Sequence, residues 1–216
     1  MKIERKEVLR YLGFQGVKAV DDTMDALISK CQSEMEKEIT PRYIYRFFQI
    51  DWSDDGKEAA FAGIRTKGDS ILRNLKGCSE IALMAVTLGP APDRLVRKAS
   101  IRGSLEPAIY QALGAAIVEA WCDEVNEMIR VDAAGRGLFL RPRYSPGYGD
   151  FPLDVQKDFE RILEMPRQIG VTLTDSLLMV PTKSVTAVIG LSDIEENCIR
   201  SGCELCGARD TCNYAG

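Results

Sequence analysis

Apolar positions recur at helical spacing through residues 21–39, DDTMDALISKCQSEMEKEI, where Met24, Leu27, Ile28, Cys31 and Met35 share a face. Thr40-Pro41 ends that helix, because a proline pushes the residue before it out of the helical region. RYIYRFFQI (42–50) is aromatic and β-branched and predicts a strand, DWSDDGK a turn, and EAAFAGI (58–64) the return strand of a hairpin. DSILRNLK (69–76) predicts a short helix stopped by Gly77. The continuous apolar run IALMAVTLG (81–89) predicts a buried strand, and residues 91–100 a basic helix. The longest helix is expected over 104–130, opened by Ser104 with Pro107 in its first turn. Its expected core stripe is Ile109, Leu113, Ile117, Ala120, Trp121, the stem of Glu124 and Met128. AAGRG (133–137) reads as a loop, and FLRPRYSPGYGDFP (139–152) carries too much Pro and Gly for regular structure throughout. Residues 153–165 predict a helix, and VTLTDSLLMVP (171–181) and SVTAVIGL (184–191) predict two strands around Thr182-Lys183. Helices and strands do not alternate strictly, which predicts an α+β fold with a twisted, largely antiparallel sheet flanked by helices. The expected organisation is one domain over 1–191 and a cysteine-rich tail over 192–216.

Composition narrows the function. The 216 residues are 45% apolar and 28% charged, ordinary for a globular chain. A net charge of −4 argues against general binding to nucleic acid or anionic membranes. There is no histidine, which excludes Ser-His-Asp and Cys-His nucleophiles, HExxH zinc sites and histidine ligation of cobalt or iron. The N-terminal MKIERKEVLRYLGF is too charged for a signal peptide, and no apolar run reaches about 18 residues. The expected location is therefore the cytoplasm, where the seven cysteines would be thiols or metal ligands rather than disulfides.

Three segments invite chemical readings. GIRTKGDS (63–70) has the glycine spacing of a phosphate loop, but Asp69 stands where the anchoring lysine belongs, and no GxGxxG occurs. RYSPGYGDFP (143–152) is stiffened by two prolines, while Gly147 and Gly149 are free to take positive φ. Arg143 suits a bidentate pair with a carboxylate, and Tyr144 or Tyr148 suits stacking on a flat ring; the plain alternative is a rigid surface loop. The tail places Cys198, Cys203, Cys206 and Cys212 within fifteen residues, a set able to hold zinc or an iron–sulfur cluster, the alternative being reduced thiols. Cys31, Cys78 and Cys122 fall in or beside apolar segments and read as core thiols.

RYSPGYGDFP resembles the R-x-x-x-G-Y segment of the activation domain of cobalamin-dependent methionine synthase. AVTLGPAPDRLVRK (85–98), ALGAAIVEAWCDEVNEMI (112–129) and VTLTDSLLMVPTKSVTAVIG (171–190) are similar, in the same order, to the family's strand-and-helix entry, long helix and P-x-x-S-V segment. The resemblance implies an S-adenosylmethionine-binding domain supporting reductive methylation of cob(II)alamin. The methyl would come from S-adenosylmethionine and the electron from a donor such as flavodoxin or ferredoxin. A free-standing domain of this kind would act on a partner, methionine synthase or another corrinoid protein, with cobalt as nucleophile and no catalytic side chain of its own.

By the same resemblance Arg143 matches the arginine at the amino-acid end of S-adenosylmethionine. Ser145, Gly147 and Tyr148 match the lining loop, Glu119 a helix glutamate near the site, and Pro181, Ser184 and Val185 the P-x-x-S-V turn. The chain departs from the family where Gly149, Asp150, Phe151 and Pro152 replace a Cys-Pro-Glu-His stretch, and where the cysteine tail replaces an aromatic hairpin after Leu191. The second function class is a non-catalytic iron–sulfur or zinc interaction module on the same scaffold.

Overall fold

A computed structural model of the chain describes residues 3–14, 20–101 and 105–195. In chain order the elements are α1 (Arg5–Tyr11), α2 (Asp22–Glu38), β1 (Arg42–Gln49), β2 (Asp51–Trp52), β3 (Ala59–Phe61), β4 (Ile64–Thr66), α3 (Asp69–Leu75) and β5 (Glu80–Thr87). There follow α4 (Ala91–Ser100), α5 (Glu106–Ala134), β6 (Phe139–Leu140), a 3-10 turn (Leu153–Val155), α6 (Gln156–Ile162), α7 (Met165–Gln168), β7 (Thr172–Leu173), β8 (Met179–Val180) and β9 (Ser184–Ser192).

The central sheet is antiparallel in the order β1-β5-β9-β6. Its register sets Arg42 opposite Thr87 and Glu80 opposite Leu191. Successive strand side chains face opposite ways, so Ala82, Met84 and Val86 of β5 join the core under α1, α2, α4 and α5. Ile81, Leu83 and Ala85 join a second core with Ile71 and Leu75 of α3, Phe159 of α6 and Met165 of α7. That double burial explains the unbroken apolar run of β5, since a strand covered on both faces needs no polar alternation. Helix α2 begins at Asp21, whose carboxylate accepts from the Met24 N–H at 2.9 Å.

The α+β expectation holds, with local corrections. The charged segment forming α1 was not predicted; its Val8 and Leu9 are buried against the first core. Residues 58–64 hold β3 and then a turn at Ala62 and Gly63, both at positive φ, which starts β4. The strand expected over 171–181 is a two-stranded ribbon: the Thr174 N–H donates to the Leu178 carbonyl, and Leu177 turns at φ 64°. The helix expected over 153–165 is divided, because Glu164 takes φ 51° between α6 and α7. On α5 the deep stripe continues through Cys122, Val125, Ile129 and Ala133, while Ala120, Trp121 and Glu124 are half-buried and Met128 is exposed. Trp121 instead reaches the sheet margin, where its indole N–H donates to the Arg42 carbonyl at 3.1 Å. Ser104, the expected opening residue of α5, lies outside the described residues.

Candidate functional site

After β6 the chain keeps running beside β9. The Arg141 N–H donates to the Gly190 carbonyl at 2.8 Å, and Tyr144 and Val188 exchange backbone hydrogen bonds at 2.9 Å each way. Neighbouring side chains therefore diverge. Tyr144 packs into the second core beside Phe151, and Arg143 crosses to α5 on the opposite side. The loop then closes on itself: the Tyr148 N–H donates to the Ser145 carbonyl at 3.1 Å and the Gly147 N–H to the Phe151 carbonyl at 2.8 Å. Gly147 sits at φ 86° and Gly149 at φ 52°, as their type permits, and a Cβ on Gly149 would collide with the Tyr144 hydroxyl. Burial of Phe151 anchors the far end of the loop and raises no polar cost.

Arg143 meets two carboxylates one turn apart on α5. Its guanidinium donates to Asp123 at 2.8 Å and lies 3.6 Å from Glu119. The arginine side chain is 25% exposed, and the carboxylates open toward solvent. Between them on the helix, Cys122 is fully buried, and that burial pushes its thiol up to about 12 despite the nearby arginine. One cation between two anions presents both signs to anything that lands there.

A second set of contacts holds the loop in place. Helix α3 starts at Gly68, which has no side chain to cap it, and Asp150 does so from the loop. The Asp150 carboxylate accepts from the Ser70 N–H at 2.8 Å and the Ile71 N–H at 3.3 Å, and the Ser70 bond foremost holds its pKa below the ordinary carboxylate value. At the other end of α3, Asn74 donates to the Pro142 carbonyl at 3.3 Å, and Arg141 donates to the Lys76 carbonyl at 3.3 Å.

The sequence-predicted residues are thus only partly gathered. Arg143 and Glu119 meet directly. Ser145, Gly147 and Tyr148 share one hydrogen-bonded turn, with the Tyr148 ring 70% exposed and edge-on to Tyr144. Asp123, Asp150 and Asn74 were not predicted. Asp123 carried a signal, four residues after Glu119 on a helix, whereas Asp150 and α3 are joined only by the fold. In the P-x-x-S-V turn, buried Ser184 donates to the Pro181 carbonyl at 2.7 Å and sits 2.8 Å from the Thr87 hydroxyl, tying β9 to the end of β5, while Val185 packs half-buried against the first core. No group of three or more Cys, Asp or Glu among the described residues is arranged to hold a metal ion. Cys198, Cys203, Cys206 and Cys212 lie outside the described residues. Among the described residues, no helix is long and apolar enough to cross a membrane.

The fold is similar to a solved structure described as the crystal structure of the MetH reactivation domain bound to AdoHcy, with a TM-score of 0.63 at 17% identity. That likeness covers 91% of this chain and 72% of the other. No curated protein sequence matches. A family profile, vitamin B12 dependent methionine synthase, activation domain, matches residues 54–195. That stretch holds the central β5 and β9, the long α5 and the whole Arg143–Pro152 loop. With well over half its length matched, and the order of the parts kept, the chain belongs to the family of activation domains of vitamin B12-dependent methionine synthase.

Proposed function

We propose that the chain binds S-adenosylmethionine and supports reductive methylation of cob(II)alamin on a partner methionine synthase or other corrinoid protein. The observation that carries this reading is the contact of Arg143, in an R-x-x-x-G-Y loop, with Glu119 and Asp123 on α5. An amino-acid end carries a carboxylate and an ammonium, and this cluster offers the complement of each. The guanidinium presents a planar fork to the carboxylate, and the two acids attract the ammonium. With two acids against one arginine, the cluster also favours a ligand bearing an additional positive charge, as a sulfonium does.

When bound, S-adenosylmethionine supplies the methyl group, and an external donor such as flavodoxin or ferredoxin supplies the electron. The chain's own residues bind and orient. Arg143, Glu119 and Asp123 fix the amino-acid end, while the turn through Ser145, Gly147 and Tyr148, which follows Arg143 in the chain, carries one exposed ring. Because Asp150 and Phe151 lock that turn to α3 and to the second core, the positions are set before the ligand arrives. The likeness to a domain described as bound to AdoHcy, the form S-adenosylmethionine takes after giving up its methyl, supports the same reading. Cytoplasmic location follows from that partnership.

The test is a reactivation assay. A corrinoid protein in the cob(II) state is mixed with S-adenosylmethionine and a low-potential donor, with and without this chain. Loss of the cob(II) absorption that requires the chain supports the proposal, and an unchanged rate rejects it.

A further inference from the structure

On the other side of α3 from its capping loop lies a cleft of about 1060 Å³ between that helix and the β2–β3 turn. Its cations come from separate elements: Lys57 from the turn, Lys67 after β4, Lys76 just past α3, and Arg73 on α3, where its guanidinium bonds the Asp69 carbonyl and the Ser70 hydroxyl. Asp69 is the acidic residue lining it. Glu58 pairs with Lys67 at 3.1 Å, but among the described residues neither Lys57 nor Lys76 has a carboxylate within ion-pair distance of its ammonium. In a chain of net charge −4, converging cations with two ammonium groups left over form a local positive field. The cleft also has an apolar wall. Trp52 and Leu72 line it, and the Trp52 indole is pinned by donating to the Cys78 carbonyl at 3.1 Å. Its size is slightly above that of ordinary small-molecule sites, about 300–1,000 Å³, and exceeds what a bare inorganic anion fills.

We propose that this cleft binds a phosphate-bearing small molecule with a flat ring, the phosphates held by Lys57 and Lys76 and the ring laid against Trp52. The binding does not use a phosphate loop, since α3 is short and its first N–H groups are taken by Asp150. It is separate from the Arg143 cluster, which lies on α5 against the opposite face of the sheet. Phosphate recognition by exposed lysines predicts strong salt dependence.

Trp52 can report its own ligand, because the chain has two tryptophans and Trp121→Phe leaves Trp52 alone. The expected result is saturable quenching of that fluorescence by ADP, weakened at least tenfold in Lys57→Ala/Lys76→Ala of unchanged circular dichroism. Inorganic pyrophosphate should bind at least tenfold more weakly than ADP, and S-adenosylmethionine should not displace ADP. The proposal is overturned by absent or non-saturable quenching, by quenching that survives the double substitution, by equal affinity for pyrophosphate, or by displacement with S-adenosylmethionine. Failure of ADP binding leaves S-adenosylmethionine binding intact, so the two readings fall separately.

Discussion

Gly147 occupies φ 86°, and a Cβ placed there would come within 3.1 Å of the Leu153 Cδ1. Gly147→Val should therefore cost roughly 1–3 kcal/mol of stability and weaken S-adenosylmethionine binding together, read as a lower melting temperature and a weaker calorimetric affinity. Glu119→Gln separates the two effects. Glu119 is half exposed and off the buried stripe of α5, so the melting temperature should hold while affinity falls by about tenfold, or roughly 1.4 kcal/mol. Cys122, with its thiol raised to about 12 by burial, should resist alkylation at pH 8 in the folded chain and react on unfolding, as peptide mapping would show. At this scale the sequence displayed Arg143, Gly147 and Tyr148, because their motif is local. It could not display Asp150, whose partner Ser70 is 80 residues away, and it hid Asp123 behind the ordinary look of an exposed helix acid.

Helix α3 is the element on which the loop depends. Its cap comes from outside the helix, so Asp150→Ala should remove about 1 kcal/mol, the usual worth of an N-cap, while Asp150→Asn should keep much of it. The pH dependence has a definite sign. A carboxylate whose folded pKa lies below its unfolded value contributes fully above the unfolded value and loses that contribution as pH falls through the folded one. Thermal melts of wild type should therefore lose part of their margin over Asp150→Ala only at acid pH. Elements with strong periodicity or continuous apolar runs, such as α2, β1, β5 and β9, were legible in the sequence. Three of the departures share a physical cause. The ribbon β7–β8, the turn between β3 and β4 and the break at Glu164 each hinge on one or two residues at positive φ, among them Ala62, Leu177 and Glu164, whose types give no warning of it. The drift of the α5 stripe reflects Trp121 serving the sheet margin, where its large ring also meets Tyr43 edge-on, while the smaller Cys122 fills the core.

For the whole molecule, two cores on either side of one sheet bring the Arg143 cluster and the α3 cleft to different faces, joined through a loop that both depend on. Strand β9 runs through Ser192, whose hydroxyl accepts from the Ile194 N–H, so a chain ending at Glu195 should still fold and bind S-adenosylmethionine. If the four tail cysteines hold one metal or cluster, Cys203→Ser and Cys206→Ser should each release it, read as metal per chain after anaerobic purification. A metal-free parent would remove that role and with it the iron–sulfur or zinc module. Whether Arg143 and its carboxylate neighbours hold the amino-acid end of S-adenosylmethionine is decided by calorimetric titration of S-adenosylmethionine into the chain and into Arg143→Ala. Saturable binding by the parent, and a loss of roughly 2–4 kcal/mol in the variant at unchanged melting temperature, are expected. Equal affinity in the two folded proteins, or no saturable binding by the parent, would contradict that role.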